Sequence, residues 1–262
     1  MTAWTWAAVA VMAVVSAHLA TTAVVRWSRD QAVRTPPHPC CVGPEPHPVA
    51  WSRVVPLASW LQHRGRCPTC AATIPRTLLA VEVASIGVLV AGVAVHPGLQ
   101  LLLVLPVLWS AVVATPIDLA HRIIPNRLTH PLALWSLAVV TVLAATSGQW
   151  SQWRLAMVAG FGLAGGLLAV SLVYELLRGQ PGIGMGDIKW GLPIGITVGW
   201  LGIGSVLVWL YATVAVSLVV MVGLVVTGRA RIASRVPYGP YLAFGVVVGI
   251  LFAQPVLDLL YG

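Results

Sequence analysis

Apolar residues along this chain gather into long runs separated by short polar breaks. Crossing about 30 Å of hydrocarbon at about 1.5 Å per residue takes about 20 largely apolar residues. Eight stretches reach or approach that length: Trp4–Val25, Leu78–Val95, Leu99–Pro116, Pro131–Ala145, Leu155–Leu177, Ile188–Leu201, Ile203–Thr227 and Tyr241–Leu260. The fourth and sixth are short, and only Leu201-Gly202 separates the sixth from the seventh. The pattern predicts an all-α polytopic membrane protein of about eight transmembrane helices. Its expected parts are a first helix over residues 1–25, a polar loop over residues 26–77 and a helical membrane domain over residues 78–262. Within the loop, residues 36–56 hold seven of the nineteen prolines and are expected to be extended and irregular. Cys67 and Cys70 fall on an expected turn.

Composition agrees with the pattern. The chain is 58% hydrophobic and only 8% charged, with a mean hydropathy of +0.90, where soluble domains carry about a quarter charged residues. A soluble globular domain, a disordered chain and a nucleic-acid binder are all excluded, although fifteen Lys and Arg face seven Asp and Glu.

The placement of those positive charges gives an orientation. Seven arginines lie between Arg26 and Thr77. With that loop on the cytoplasmic side and eight spans, Arg122, Arg127, Arg178, Lys189, Arg229, Arg231 and Arg235 also fall inside. Only Arg154 is left outside, and both termini face away from the cytoplasm. The first span has no basic segment before it, so it reads as a retained helix and not a cleaved signal. Trp150, Trp153 and Trp200 sit near span ends, as headgroup-level rings would. Gly162-x-x-x-Gly166, Gly195-x-x-x-Gly199 and Gly245-x-x-x-Gly249 read as surfaces for close helix packing. No internal repeat points to a two-fold transporter.

The scarce acids carry the chemistry. Asp258 reads as solvated at a helix end, and Glu175, three residues before Arg178, as an intrahelical ion pair. Glu82, one turn inside the second span, suits a structural or a functional role equally. Asp118 and Asp187 differ, because each stands at the cytoplasmic membrane edge beside residues that break regular backbone. Asp118 lies in TPIDLAHRIIPNRLTHPL, seven residues before Pro125, and Asp187 in PGIGMGDIKWG after Gly182, Gly184 and Gly186. Two carboxylates in one desolvated site do not both ionise easily, which leaves one acid and one base able to activate water against an amide. The bland alternatives are pairing with Arg122 and Lys189, or cation binding. Lys189 itself suits either tuning a neighbouring acid or meeting lipid headgroups. His121 and His130, which flank the Asp118 segment, read as solvated. The glycine run lacks the Gly-Lys-Ser/Thr ending of a phosphate loop.

At these residues the chain resembles the type IV prepilin peptidases, membrane aspartyl proteases with a Gly-x-Gly-Asp site. GIGMGDIK is similar to that family's second-aspartate motif, and the Asp118 segment to its first, in which Pro-Asp or Pro-Asn follows seven residues on. RVPYGPYLAFG resembles the segment that leads into the last span, and VVPLASWLQHRGRCPTCAATIPR the N-terminal loop. The resemblance implies that Asp118 and Asp187 are the catalytic pair, supported by Gly184, Gly186, Lys189, Pro125 and Asn126. It implies removal of a basic leader from prepilins or type II secretion pseudopilins at the cytoplasmic face of a bacterial inner membrane, with no cofactor for proteolysis. Many members also N-methylate the new N-terminus with S-adenosylmethionine and carry two CxxC pairs. Here Cys67 and Cys70 match one pair, while adjacent Cys40 and Cys41 replace the other, so a zinc on these four, helped by His38 or His47, is an expectation with a departure in it. SAHLATTAVVRW departs from the family's usual end to the first span, which puts methylation in more doubt than proteolysis. The expected partners are the pilin substrate and membrane lipid, with no nucleic acid. The rival class is a non-enzymatic transporter or pilus and secretion assembly protein whose acids handle protons or cations.

Overall fold

The computed structural model describes residues 3–27, 38–39, 48–49, 57–67, 71, 73–180, 182–229 and 237–261. The chain divides into two compact units, residues 1–91 and 92–262.

The first unit holds helix α1 (Ala3–Trp27), a two-residue antiparallel pair β1 (His38–Pro39) and β2 (Pro48–Val49), short helix α2 (Ala58–Gln62) and most of α3 (Arg76–Val95). Arg66 and Thr73 pair across an isolated antiparallel bridge that brackets the CxxC sequence. Gly65 turns the chain at φ 70°, and a Cβ there would press on the Trp60 indole at 3.0 Å. Glu82 Oε2 accepts the Leu57 backbone N–H at 2.9 Å, tying the start of α2 to α3. That bond satisfies a backbone donor at the end of the polar loop, a position with no helical partner for it.

The second unit contains α4 (Leu101–His121), α5 (Asn126–Ser147), α6 (Trp150–Arg178), α7 (Met185–Leu201), α8 (Ile203–Val226), α9 (Gly239–Leu251) and α10 (Ala253–Tyr261). Helix α7 packs on α5, α6 and α8, and α9 on α4 and α8. Most of α7 is buried, whereas α6 buries only Ala156, Gly160 and Ser171. The apolar side chains that α6 and α8 leave exposed, among them Val158, Phe161, Leu218 and Val219, are the surface that lipid would cover. Leu103, Val140, Leu143, Ile196 and Trp200 form the core where α4, α5 and α7 meet.

Among the described residues, six helices are long and apolar enough to cross a membrane, or seven if the bent pair α9–α10 counts as one, against the eight expected. The shortfall falls on α7, which has 17 residues. The last span is not one straight rod either, since α9 and α10 meet at 78°. Pro255, in the first turn of α10, has no N–H to donate back to the Leu251 carbonyl. Two prolines expected at span ends lie inside helices: α4 continues through Pro116 to His121, and α5 through Pro131 from Asn126. A proline costs one ladder bond, and neighbouring side chains can meet the freed carbonyl. Pro106 shows this directly, because the Leu102 carbonyl it frees accepts the Trp135 indole N–H at 2.7 Å.

The small-residue packing expectation holds for two of the three patterns. A Cβ on Gly195 would lie 2.6 Å from the Ala159 carbonyl oxygen, and one on Gly199 2.8 Å from Ala156 Cα, so α7 lies backbone-close against α6. Gly245 and Gly249 meet the Trp209 and Ser205 carbonyls of α8 in the same way. Gly162 and Gly166 have nothing within 4 Å of an added Cβ; on α6 the close contact is made by Gly160 instead. Gly195→Ala should therefore destabilise the purified protein by about 1–3 kcal/mol. Gly162→Ala should be neutral or raise stability by up to about 1 kcal/mol through helix propensity. Thermal unfolding of both variants in the same detergent checks the contrast.

Candidate active site

Asp118 stands in the last turn of α4 and Asp187 in the first turn of α7. Both are buried, at 4% and 8% exposure. Helix α4 ends because Arg122 turns left-handed at φ 56°, ψ 39°, its N–H closing on the Asp118 carbonyl at 2.8 Å. Pro125 then presets an extended backbone, φ −64°, ψ 136°, from which α5 starts at Asn126. This tight link between helices carries Ile124 inward.

The glycines of the second motif provide room. Gly184 is an ordinary extended residue at φ −66°, but a Cβ on it would meet Asp187 Oδ2 at 3.0 Å. A Cβ on Gly186 would meet Ile124 at 3.0–3.2 Å, and one on Gly182 the Tyr174 side chain at 2.8 Å. Gly186 thus lets the start of α7 lie against the α4–α5 link, and Gly184 leaves room for the Asp187 carboxylate. Ser171 of α6 holds the glycine segment from behind, its hydroxyl accepting the Ile183 N–H and donating to the Ile183 carbonyl, both at 3.2 Å.

A third chain segment completes the site. The Gly239 backbone N–H, at the start of α9, donates to Asp118 Oδ2 at 2.9 Å. A Cβ on Gly239 would lie 2.8 Å from that oxygen. Tyr238, stacked edge-on with Tyr241 at 6.0 Å, has its hydroxyl pushed up by burial and by the charge of Asp187. The Pro-Tyr-Gly-Pro stretch was visible as a motif, but no residue in it signalled a contact with Asp118.

The two aspartates are unlike. Asp118 has its backbone donor. Asp187 precedes the apolar run Ile188–Leu201, and its carboxyl is raised to about 7, first by burial and then by the charge of Asp118, against the lowering effect of the Gly184 N–H. Its Oδ1 is buried with no hydrogen-bond partner among the described residues. A carboxyl poised near neutrality with an unfilled oxygen, beside an oriented carboxylate, can hold and polarise a water or a carbonyl.

Of the other expected site residues, Lys189 reaches Asn126, its Nζ donating to Asn126 Oδ1 at 3.0 Å on the exposed rim. This bond fastens the second turn of α7 to the start of α5. His121 and His130 are exposed, as expected of solvated histidines, and so are Glu175 and Asp258. Cys67 is buried, whereas Cys40, Cys41 and Cys70, with His47, lie outside the described residues. Among the described residues, no group of three or more His, Cys, Asp and Glu is arranged to hold a metal.

Comparison with known proteins bears on both units. Residues 102–227 match the family model of the type IV leader peptidase family, and residues 11–96 match that of the bacterial peptidase A24 N-terminal domain. The chain is 31% identical over 224 residues to a prepilin leader peptidase/N-methyltransferase of Aeromonas salmonicida (strain A449), covering 84% of this chain and 73% of that one. It is 31% identical over 237 residues to the protein of that description in Aeromonas hydrophila, covering 87% and 78%. The counterpart in Burkholderia pseudomallei (strain 1026b) is 33% identical over 217 residues, covering 81% and 66%. No solved structure matches the chain.

Proposed function

Because the chain belongs to the type IV leader peptidase family, we propose that Asp118 and Asp187 are the water-activating pair with which it removes leader peptides from prepilins or pseudopilins. It is a membrane protease, and the non-enzymatic rival is not favoured. The observation that carries the site assignment is the convergence of three segments, far apart in sequence, on two buried carboxylates. Their position supports the same reading: a proton or cation pathway would want its acids near mid-span, and these stand at helix ends.

In this reading Asp187, holding its proton near neutral pH, donates to the oxygen of the scissile carbonyl. Asp118, oriented by the Gly239 N–H, takes a proton from the attacking water. The tetrahedral intermediate collapses as the proton on Asp118 passes to the leaving amine and the one on the former carbonyl oxygen returns to Asp187. No metal takes part in these steps. Burial supports the chemistry, since a charge developing on the carbonyl oxygen is felt more strongly where bulk water is thin.

The reading places the reaction at the cytoplasmic face of a bacterial inner membrane, with both termini on the other side. Its support is the placement of Arg122, Arg178 and Arg229 at the C-terminal ends of α4, α6 and α8, and of Arg127 and Lys189 near the N-terminal ends of α5 and α7. It counts α7 and the bent α9–α10 pair as crossings; α7 tolerates its short length because protein, not lipid, surrounds it. Methylation with S-adenosylmethionine and a zinc held by Cys67, Cys70, Cys40 and Cys41 belong to the same reading, supported by the loop sequence and the match over residues 11–96.

Co-expression with a type IV prepilin, in a host stripped of its own leader peptidase, tests this. The expected product is a pilin whose measured mass lacks the leader, with one added methyl group if the loop is active. Full-length prepilin beside normally inserted protein would overturn the reading.

A further inference from the structure

The carboxylates stand on different helices, so their geometry depends on how α7 is held against α4. Trp190, one turn after Asp187, is fully buried, and so is Ser110, about two turns before Asp118. The indole Nε1–H donates to Ser110 Oγ at 2.9 Å. The serine hydroxyl is itself committed, donating to the Val107 carbonyl at 2.7 Å, which leaves its oxygen to receive the indole. At 0% exposure, neither side chain has solvent to turn to. An indole N–H without a partner in such surroundings carries its full desolvation cost. Shifting α7 by one residue in register moves each side chain about 1.5 Å along the axis and about 100° around it, which takes the indole off Ser110.

We propose that Trp190 and Ser110 are positioning residues for the peptidase reaction, their bond setting the register of α7 against α4 and hence the approach of Asp187 to Asp118. The proposal rests on the peptidase reading above. The bond repeats within the chain the use of tryptophan that Trp135 makes at Leu102, but with a different consequence. The Trp135 bond fastens α5 to α4 about four turns from Asp118 and leaves the aspartate pair alone.

The test uses the full-length protein in detergent, assayed on a prepilin over a range of pH. Ser110→Ala and Trp190→Phe should each lower kcat on the order of 10- to 100-fold, the scale of a roughly 1 Å misplacement of reacting groups, with KM nearly unchanged. The double variant should be no worse than either single one, because both remove the same bond. The pH–rate profile should shift, because the apparent values of a carboxyl pair depend on their separation. Ser110→Thr, which keeps the hydroxyl, should recover most of the kcat. Trp135→Phe, the control, should lower thermal stability and leave the pH profile in place. If Trp190→Phe does not fold, the Ser110→Ala and Ser110→Thr pair decides without it. Wild-type kcat in Ser110→Ala, or a fall in stability with an unmoved pH profile, would overturn the positioning role alone. Cleavage that survives in Asp187→Asn would remove the peptidase reading, and the positioning role with it.

Discussion

Asp187→Asn and Asp118→Asn should each reduce leader cleavage by about 10³-fold or more, since each removes one partner of a proton exchange that contributes about 10²–10⁴-fold per group. Asparagine keeps the size of the side chain and so isolates the chemistry. At position 187 it can still donate a hydrogen bond to the scissile carbonyl but cannot give up and regain a proton. At position 118 it can still meet the Gly239 N–H through its carbonyl but cannot take a proton from water. For the wild type, the Asp187 value of about 7 predicts activity that falls as pH rises through neutrality and the donor proton is lost. The same raised value fixes the sign of a stability effect. Between the unfolded value near 3.8 and the folded value near 7, the folded protein binds a proton that the unfolded chain does not, so stability falls as pH rises through that window. Asp187→Asn carries no such cost and should unfold at a higher temperature than wild type at alkaline pH. An inactive variant that is at least as stable as wild type separates lost chemistry from lost structure. Cleavage within tenfold of wild type in either variant would sink the assignment.

Gly239→Ala should lower kcat on the order of 100-fold while the protein still folds. The added methyl carbon would lie 2.8 Å from Asp118 Oδ2, closer than carbon and oxygen approach without bonding, so the carboxylate or the start of α9 must shift. Either movement spoils the 2.9 Å bond that orients the base. Gly184→Ala, whose Cβ would lie 3.0 Å from Asp187 Oδ2, should follow the same course with a smaller loss, because that contact is less severe than the 2.8 Å one at Gly239. Gly162→Ala, in open space, serves as the neutral reference. Single-turnover cleavage by the purified variants orders the three. Wild-type turnover in Gly239→Ala would mean that this backbone contact does not shape the site.

The motif segments and the burial of the aspartates fit together residue by residue. Gly182, Gly184 and Gly186 stand out in the sequence as residues that break regular backbone and add no side chain beside Asp187. What approaches them was not legible. For Gly184 it is the carboxylate three residues on, for Gly186 it is Ile124 from another helix, and for Gly182 it is the Tyr174 ring. Lys189 was open between tuning an acid and meeting headgroups; its bond to Asn126 joins two residues that the sequence could only place in separate motifs. Glu82, balanced between structure and function on sequence alone, holds a backbone N–H 25 residues away, a structural contact the sequence did not indicate.

By itself the sequence determined that this is a helical membrane protein, which stretches are apolar enough to cross, and which two acids are candidates for chemistry. Those properties are local: hydrocarbon thickness imposes a run length, and charge is too costly in lipid to be scattered. Only the tertiary structure decided that α7 is buried by its neighbours, that the last span breaks at Phe252, and that Gly239 supplies Asp118 with a donor from 121 residues away. Nor could the chain order show the Trp190–Ser110 bond across α4 and α7. Such contacts follow from which helix faces meet, and in apolar helices with almost no amphipathic pattern nothing in the linear order records that choice.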